Sequence, residues 1–154
     1  VVKEKIRNAN LIYLMGGDPN LQLDFINEFE LKNEIKNSKA TILGMSAGAM
    51  CMSKYSWMLP VSERYPNMDI RKAMNLSGIS IYPHYNTDGE ILDEYTNGDE
   101  TTLKKDILFT AKNYGECYYL NDDSAIIENN GNLIFIGKNI IHVSEDKIEV
   151  INGW

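Results

Sequence analysis

Residues 40–50 read ATILGMSAGAM, and the interpretation of this stretch decides the fold. Ala40, Thr41, Ile42 and Leu43 form an apolar run suited to a buried strand, which Gly44 ends. Ala47 onward has the character of a helix start, expected to run to Lys54. Between strand and helix stands Gly44-Met45-Ser46-Ala47-Gly48, a G-x-S-x-G turn. Such a turn strains the serine backbone and lifts its hydroxyl clear of the sheet, while glycines on both sides let strand and helix approach. The N–H of the following residue can then face a developing oxyanion. The plain alternative is a small-residue turn that packs a helix on a sheet. By composition alone the pattern arises in roughly one 150-residue chain in twenty, so its neighbours must decide.

Upstream, Leu11-Ile12-Tyr13-Leu14-Met15 reads as another buried strand, stopped by Gly16-Gly17. Asp18 or Asn20 can cap a helix predicted over Leu21 to Ile35, with apolar residues at 21, 23, 25, 26, 29, 31 and 35. Downstream, Gly78 to Tyr82 is a third predicted strand, ended by Pro83. Residues 86–101 are acidic and read as surface loop and helix, and Thr102 to Lys112 has helical character. Short strands then follow at 116–121, 124–128, 133–136 and 147–152, with a hairpin turn at Asn129-Asn130-Gly131. Strand–helix alternation followed by hairpins predicts an α/β domain spanning residues 1–154. Its central sheet is expected to be mostly parallel, flanked by helices, with C-terminal β-hairpins.

Composition narrows the chemistry. The 154 residues carry 22 acidic and 15 basic side chains, a net charge of −7, with 44% apolar residues. No basic cluster exceeds two residues, so a nucleic-acid partner is not expected. No apolar run approaches the ~20 residues that span a bilayer, and a membrane is not expected either. Cys51 and Cys117 form no CxxC pair and read as reduced, buried thiols of a cytoplasmic protein, with one disulfide as the alternative. Two histidines and scattered carboxylates show no ligand spacing, so neither metal nor cofactor is implied.

A serine nucleophile needs a base. His84, in Tyr82-Pro83-His84-Tyr85, follows a predicted parallel strand and so shares the carboxyl edge with Ser46, where open α/β sheets place their sites. His142, inside Ile140-Ile141-His142-Val143, reads as a structural histidine. Asp122 and Asp123 end the strand Tyr118-Tyr119-Leu120 at the same edge, and either could orient the base or simply form a turn. Gly16-Gly17 closes the first strand there too, where a freed N–H could face an oxyanion.

These motifs together resemble the S51 serine peptidases, a family that includes aspartyl dipeptidase and cyanophycinase. The matching pieces are a strand followed by Gly-Gly-Asp, the G-x-S-A-G-A elbow, Pro-His-Tyr, and a strand start in YLNDDSAII, from about residue 8 to 137. The resemblance implies a class I glutamine amidotransferase-like, flavodoxin-like fold. It also implies Ser46 as nucleophile, His84 as base, Asp122 as the acidic member with Asp123 one register away, and the N–H groups of Gly17 and Ala47 as oxyanion donors. Gly16, Asp18 and Asp69 are expected to support the site or contact substrate. Asp69 resembles an acidic residue of the family's loop between nucleophile and histidine.

Two departures stand out. Family members carry further strand–helix units before the Gly-Gly strand, so the chain is expected to be N-terminally truncated, the C-terminal portion of the family domain. Aspartyl-specific members place arginine in the loop after the histidine, whereas residues 97–105 here hold none, with Thr101 or a neighbour in its place. Asp88, Glu90, Asp93, Glu94, Asp99 and Glu100 add negative charge there, which argues against strict Asp-X specificity. The expected activity is dipeptidase-like hydrolysis of small peptides, with a homodimer left open. Two rivals remain: a catalytically inactive binding or regulatory domain of the same fold, and an esterase or amidase acting on small non-peptide substrates.

Overall fold

Alternation of side chains places the first layer. Strand β1 (Leu11–Leu14) pairs in parallel with β2 (Thr41–Gly44), with Leu11 opposite Thr41 and Leu14 opposite Gly44. Successive residues face opposite sides of the sheet. Ile12, Leu14 and Ile42 turn inward against a buried cluster that includes Leu23, Ile26, Leu31, Ile35, Cys51 and Met74. Leu11, Tyr13 and Leu43 occupy the other face and are 57%, 45% and 53% exposed. The computed structural model describes residues 1–58, 67–85, 100–145 and 147–154, with the backbone alone for residues 100–106. The acidic segment of residues 86–99 and the side chains around Thr101 lie outside the described residues.

The inward face is covered by helices α1 (Val2–Arg7), α2 (Pro19–Glu28), α3 (Lys32–Lys36) and α4 (Ala47–Met52). Asp18 caps α2, its carboxylate accepting from the N–H groups of Asn20 and Leu21 at 2.9 and 3.0 Å. Pro19 occupies the first helical turn, where its missing N–H costs nothing. The single helix predicted over Leu21 to Ile35 is in fact two. Glu30 has φ 53°, and the N–H groups of Glu30 and Leu31 donate to the carbonyls of Asn27 and Ile26 at 3.1 and 2.9 Å. This is a Schellman termination in which Glu30 stands where glycine is usual, locked by burial of Leu31 and Ile26. Arg7 of α1 forms a bidentate pair with Glu34 of α3, both contacts at 2.6 Å.

Three strands lie outside the predicted set: one over Ile140–Ser144, and the short pair β3 (Tyr55–Met58) and β4 (Asp69–Lys72), antiparallel with Trp57 opposite Ile70. The third predicted strand shortens to β5 (Ser80–Tyr82), because Gly78 turns the chain with φ 79°. Helix α5 (Glu100–Tyr114) leads into β6 (Cys117–Tyr119), which lies parallel to β5. The hairpin of β7 (Ala125–Asn129) and β8 (Asn132–Ile136) turns on Asn130 and Gly131, with φ 52° and 82°. Two consecutive positive φ values match the twist that tight hairpins require. Strand β9 (Ile140–Ser144) runs antiparallel to both β6 and β10 (Lys147–Ile151), so the larger sheet has the order β10-β9-β6-β5.

A second buried cluster, with Trp57, Ile107, Ala111, Tyr119, Ile141 and Val143, sits between α5 and this sheet. The architecture is thus α/β with mixed sheets. Among the described strands, parallel pairing is confined to β1–β2 and β5–β6, so the expected mostly parallel sheet is seen in part. No helix among the described residues is long and apolar enough to cross a membrane.

Candidate active site

Four strands deliver their next residues to one place. Gly16-Gly17 follow β1, Ser46 follows β2, His84 follows β5 and Asp122 follows β6. The elbow itself is sterically forced. The N–H of Met45 donates to the carbonyl of Leu14 at 3.0 Å, extending the β1–β2 ladder to the base of the turn. A Cβ on Gly44 would stand 2.8 Å from the backbone nitrogen of Ala49. One on Gly48 would fall inside the backbone of Leu14. Only glycine fits either position, and Ser46 is left with φ 53° and ψ −117°. A non-glycine residue held there stores of order 1–3 kcal/mol of strain, the kind of feature that marks a functional position.

The side chains then form a chain of contacts. Ser46 Oγ lies 2.7 Å from His84 Nε2, and His84 Nδ1 lies 2.6 Å from Asp122 Oδ1. A carboxylate can only accept, so Nδ1 carries the proton and donates to Asp122. Nε2 is then left as the acceptor for the serine hydroxyl. His84 also has a positive φ, 60°, and hydrogen bonds bracket it. Tyr85 N–H donates to the Leu120 carbonyl, and Leu120 N–H to that of Tyr82, both at 2.8 Å. These bonds carry the β5–β6 pairing past the strand ends and fix the imidazole against the Asp122 turn. The side chains of His84 and Asp122 are 57% and 74% exposed, so their pairing contributes orientation more than stability.

The remaining candidates divide. A Cβ on Gly16 would stand 3.5 Å from that of Ser46, which puts the Gly-Gly turn beside the serine. Gly17 has φ 134° and open space where a Cβ would be. Ala47 is the first residue of α4, so its N–H belongs to the helix turn that has no intrahelical acceptor. Asp123, the next residue of the turn after Asp122, is exposed. Asp18 and Asp69 act on α2. Asp18 caps it, and Asp69 at the start of β4 accepts from the buried Asn20 amide at 2.7 Å and from Arg71 Nε at 3.3 Å. Arg71 also reaches Asp24 at 3.0 Å. The sequence offers Asn20 only as an alternative cap. Its link to Asp69, 49 positions away, has no local signal.

His142 and the two cysteines make packing contacts instead. His142 is 15% exposed, stacks on Tyr118 at 4.5 Å and contacts Glu116 at 2.9 Å. Cys51 and Cys117 are free and buried. Burial, with Asp18 nearby, pushes the Cys51 thiol up to about 12, which leaves no thiolate at neutral pH. Burial likewise raises the Cys117 thiol well above its ordinary value.

Beside Ser46 and His84 opens a cleft of about 360 Å³, lined among others by Tyr13, Leu43, Met45, Ile81, Leu120 and Ile126. It lies between β2 and β5, which share no ladder.

Among solved structures, the chain is similar to a Listeria monocytogenes EGD-e protein provisionally described as peptidase E, at 20% identity and a TM-score of 0.62. That match covers 87% of this chain and 62% of the other. It is also similar to a peptidase from an acI-B1 Actinobacterium, at 16% identity and a TM-score of 0.66, covering 98% of this chain and 60% of that one. At these identities the likeness speaks for the fold, and the chain spans less than two thirds of either protein's length. No curated protein matches. The profile of peptidase family S51 matches residues 1–136, the segment that contains both glycine turns, Ser46, His84 and Asp122, and on that match the chain belongs to peptidase family S51.

Proposed function

We propose that the protein is a serine peptidase acting on small peptides in the manner of a dipeptidase. The observation that carries this reading is the unbroken contact chain Ser46–His84–Asp122, built on a serine with a strained backbone. His84 Nε2 accepts the Ser46 proton as Oγ attacks the scissile carbonyl. The oxyanion that forms faces the N–H groups of Gly17 and Ala47, and Asp122 holds the imidazolium in place. Collapse breaks the C–N bond, and His84 returns the proton to the leaving amine. Water, deprotonated by the same imidazole, then releases the acid and restores Ser46. The partly parallel architecture supports one further reading: β1–β2 and β5–β6 are two parts of a class I glutamine amidotransferase-like sheet, flavodoxin-like in order, with the site at its carboxyl edge.

The test is hydrolysis of a dipeptide panel by the protein and by its Ser46→Ala variant. Loss of turnover in a folded variant is the expected result, and turnover equal to that of the parent would rule the mechanism out.

A further inference from the structure

The cleft beside Ser46 has a side and a polarity. Its lining includes Ser46, Pro83, His84 and Asp122, but not Gly16, Gly17 or Ala47. In acyl transfer by a serine–histidine pair, the oxyanion donors mark the acyl side, and the histidine faces the amine that it must protonate. The cleft therefore belongs to the leaving-group side. Its walls are mainly apolar, with Tyr13, Leu43 and Met45 from the β1–β2 layer and Ile81, Leu120 and Ile126 from the opposite side. No lysine or arginine among the described residues lines it, and the one charged carboxylate, Asp122, is already committed to His84. An acidic side chain placed there would meet like charge with no counter-ion, and an ammonium would lose hydration to an apolar wall. At about 360 Å³ the cleft falls within the range of roughly 300–1,000 Å³ usual for small-molecule sites.

We infer that this cleft is the subsite for an uncharged, apolar side chain on the amine side of the scissile bond, so that the substrates are dipeptides ending in residues such as leucine, methionine or phenylalanine. The inference rests on the hydrolase reading above and names the substrate class for that site. Burying such a side chain gives roughly a tenfold or larger advantage in kcat/KM over a charged one.

The experiment compares X-Leu, X-Met and X-Phe with X-Asp and X-Lys, in one series with alanine and a second with aspartate as the acyl residue. A fluorophosphonate reaction at Ser46 is run alongside. Preference for the apolar leaving residue by about tenfold or more in each series that turns over is the expected result. Leu43→Lys, an exposed position, should lower the Leu-over-Asp ratio by about tenfold. Met45→Lys should do the same if the first variant fails to fold. Labelled Ser46 with equal rates across leaving residues, or with a charged residue preferred, overturns the subsite and spares the hydrolase reading. A folded lysine variant with an unchanged ratio also overturns it. Absence of both labelling and turnover removes the two together.

Discussion

Ser46 Oγ sits 2.7 Å from His84 Nε2, although the two residues follow strands of different hydrogen-bonded sheets. Neither sheet alone could hold the pair. The glycine-packed elbow fixes one partner, and the hydrogen bonds around Leu120 fix the other. The contact is therefore a test of the whole arrangement. Replacing His84 with alanine should lower kcat/KM for a dipeptide by about 10³-fold or more, and Asp122→Asn by a comparable factor, because the wrong tautomer would face Ser46. Asp123→Asn should remain within about twofold of the parent. Steady-state kinetics on the four proteins check this, and equal losses at positions 122 and 123 would contradict the assignment.

His142 supplies the contrasting case. It packs against Tyr118 and bonds Glu116, remote in sequence and role from the elbow. His142→Ala should leave turnover nearly unchanged while lowering the melting temperature by a few degrees, about 1 kcal/mol in a domain of this size. A loss of turnover as large as that at His84 would exchange the roles of the two histidines.

The elbow glycines answer to volume instead of chemistry. Gly48→Ala forces a methyl into the backbone of Leu14, which cannot yield without opening the β1–α4 contact. A cost of about 3 kcal/mol or more is expected, seen as low soluble yield or a large drop in the denaturation midpoint. A Gly48→Ala protein as stable as the parent would mean that strand and helix are farther apart than described.

The thiols carry a pH prediction. Cys51 is raised from its ordinary value of 9.0 to about 12, first by burial and then by Asp18, and burial raises Cys117 as well. The native protein thus holds protons that the unfolded chain releases. The stability linked to these groups is fully present below about pH 9 and is lost progressively as pH rises toward 12. Melting temperature should fall between pH 8 and 10.5, and iodoacetamide should leave both thiols unmodified at pH 8 until denaturant is added. Rapid alkylation of Cys51 in the folded protein would overturn its burial.

Much of this was legible in the sequence, and for identifiable reasons. The runs at 11–14 and 41–44 are apolar, short and stopped by glycine, so strand and elbow could be read directly. The Asn130-Gly131 turn announces itself because its φ values demand those residues. The break between α2 and α3 was not legible, since Glu30 adopts a left-handed conformation that only the burial of Leu31 and Ile26 enforces. Strand β4, Asp-Ile-Arg-Lys, has almost no apolar signal of its own and exists through its pairing with β3. The Asn20–Asp69 bond is likewise invisible to spacing, because the first turn of α2 and the start of β4 meet only after folding. Position in the turn leaves Asp122 and Asp123 equivalent, the resemblance favours Asp122 with Asp123 one register away, and Asp122 is the carboxylate that reaches His84.

The central claim is that Ser46 is a nucleophile activated by His84. Its most direct measurement is the reaction of the intact protein with a fluorophosphonate, mapped by peptide mass spectrometry, beside the His84→Ala variant. The account predicts a single adduct on Ser46, formed at least about a hundredfold more slowly in the variant. A folded protein that takes no label at Ser46, or takes it equally fast without His84, would contradict the account.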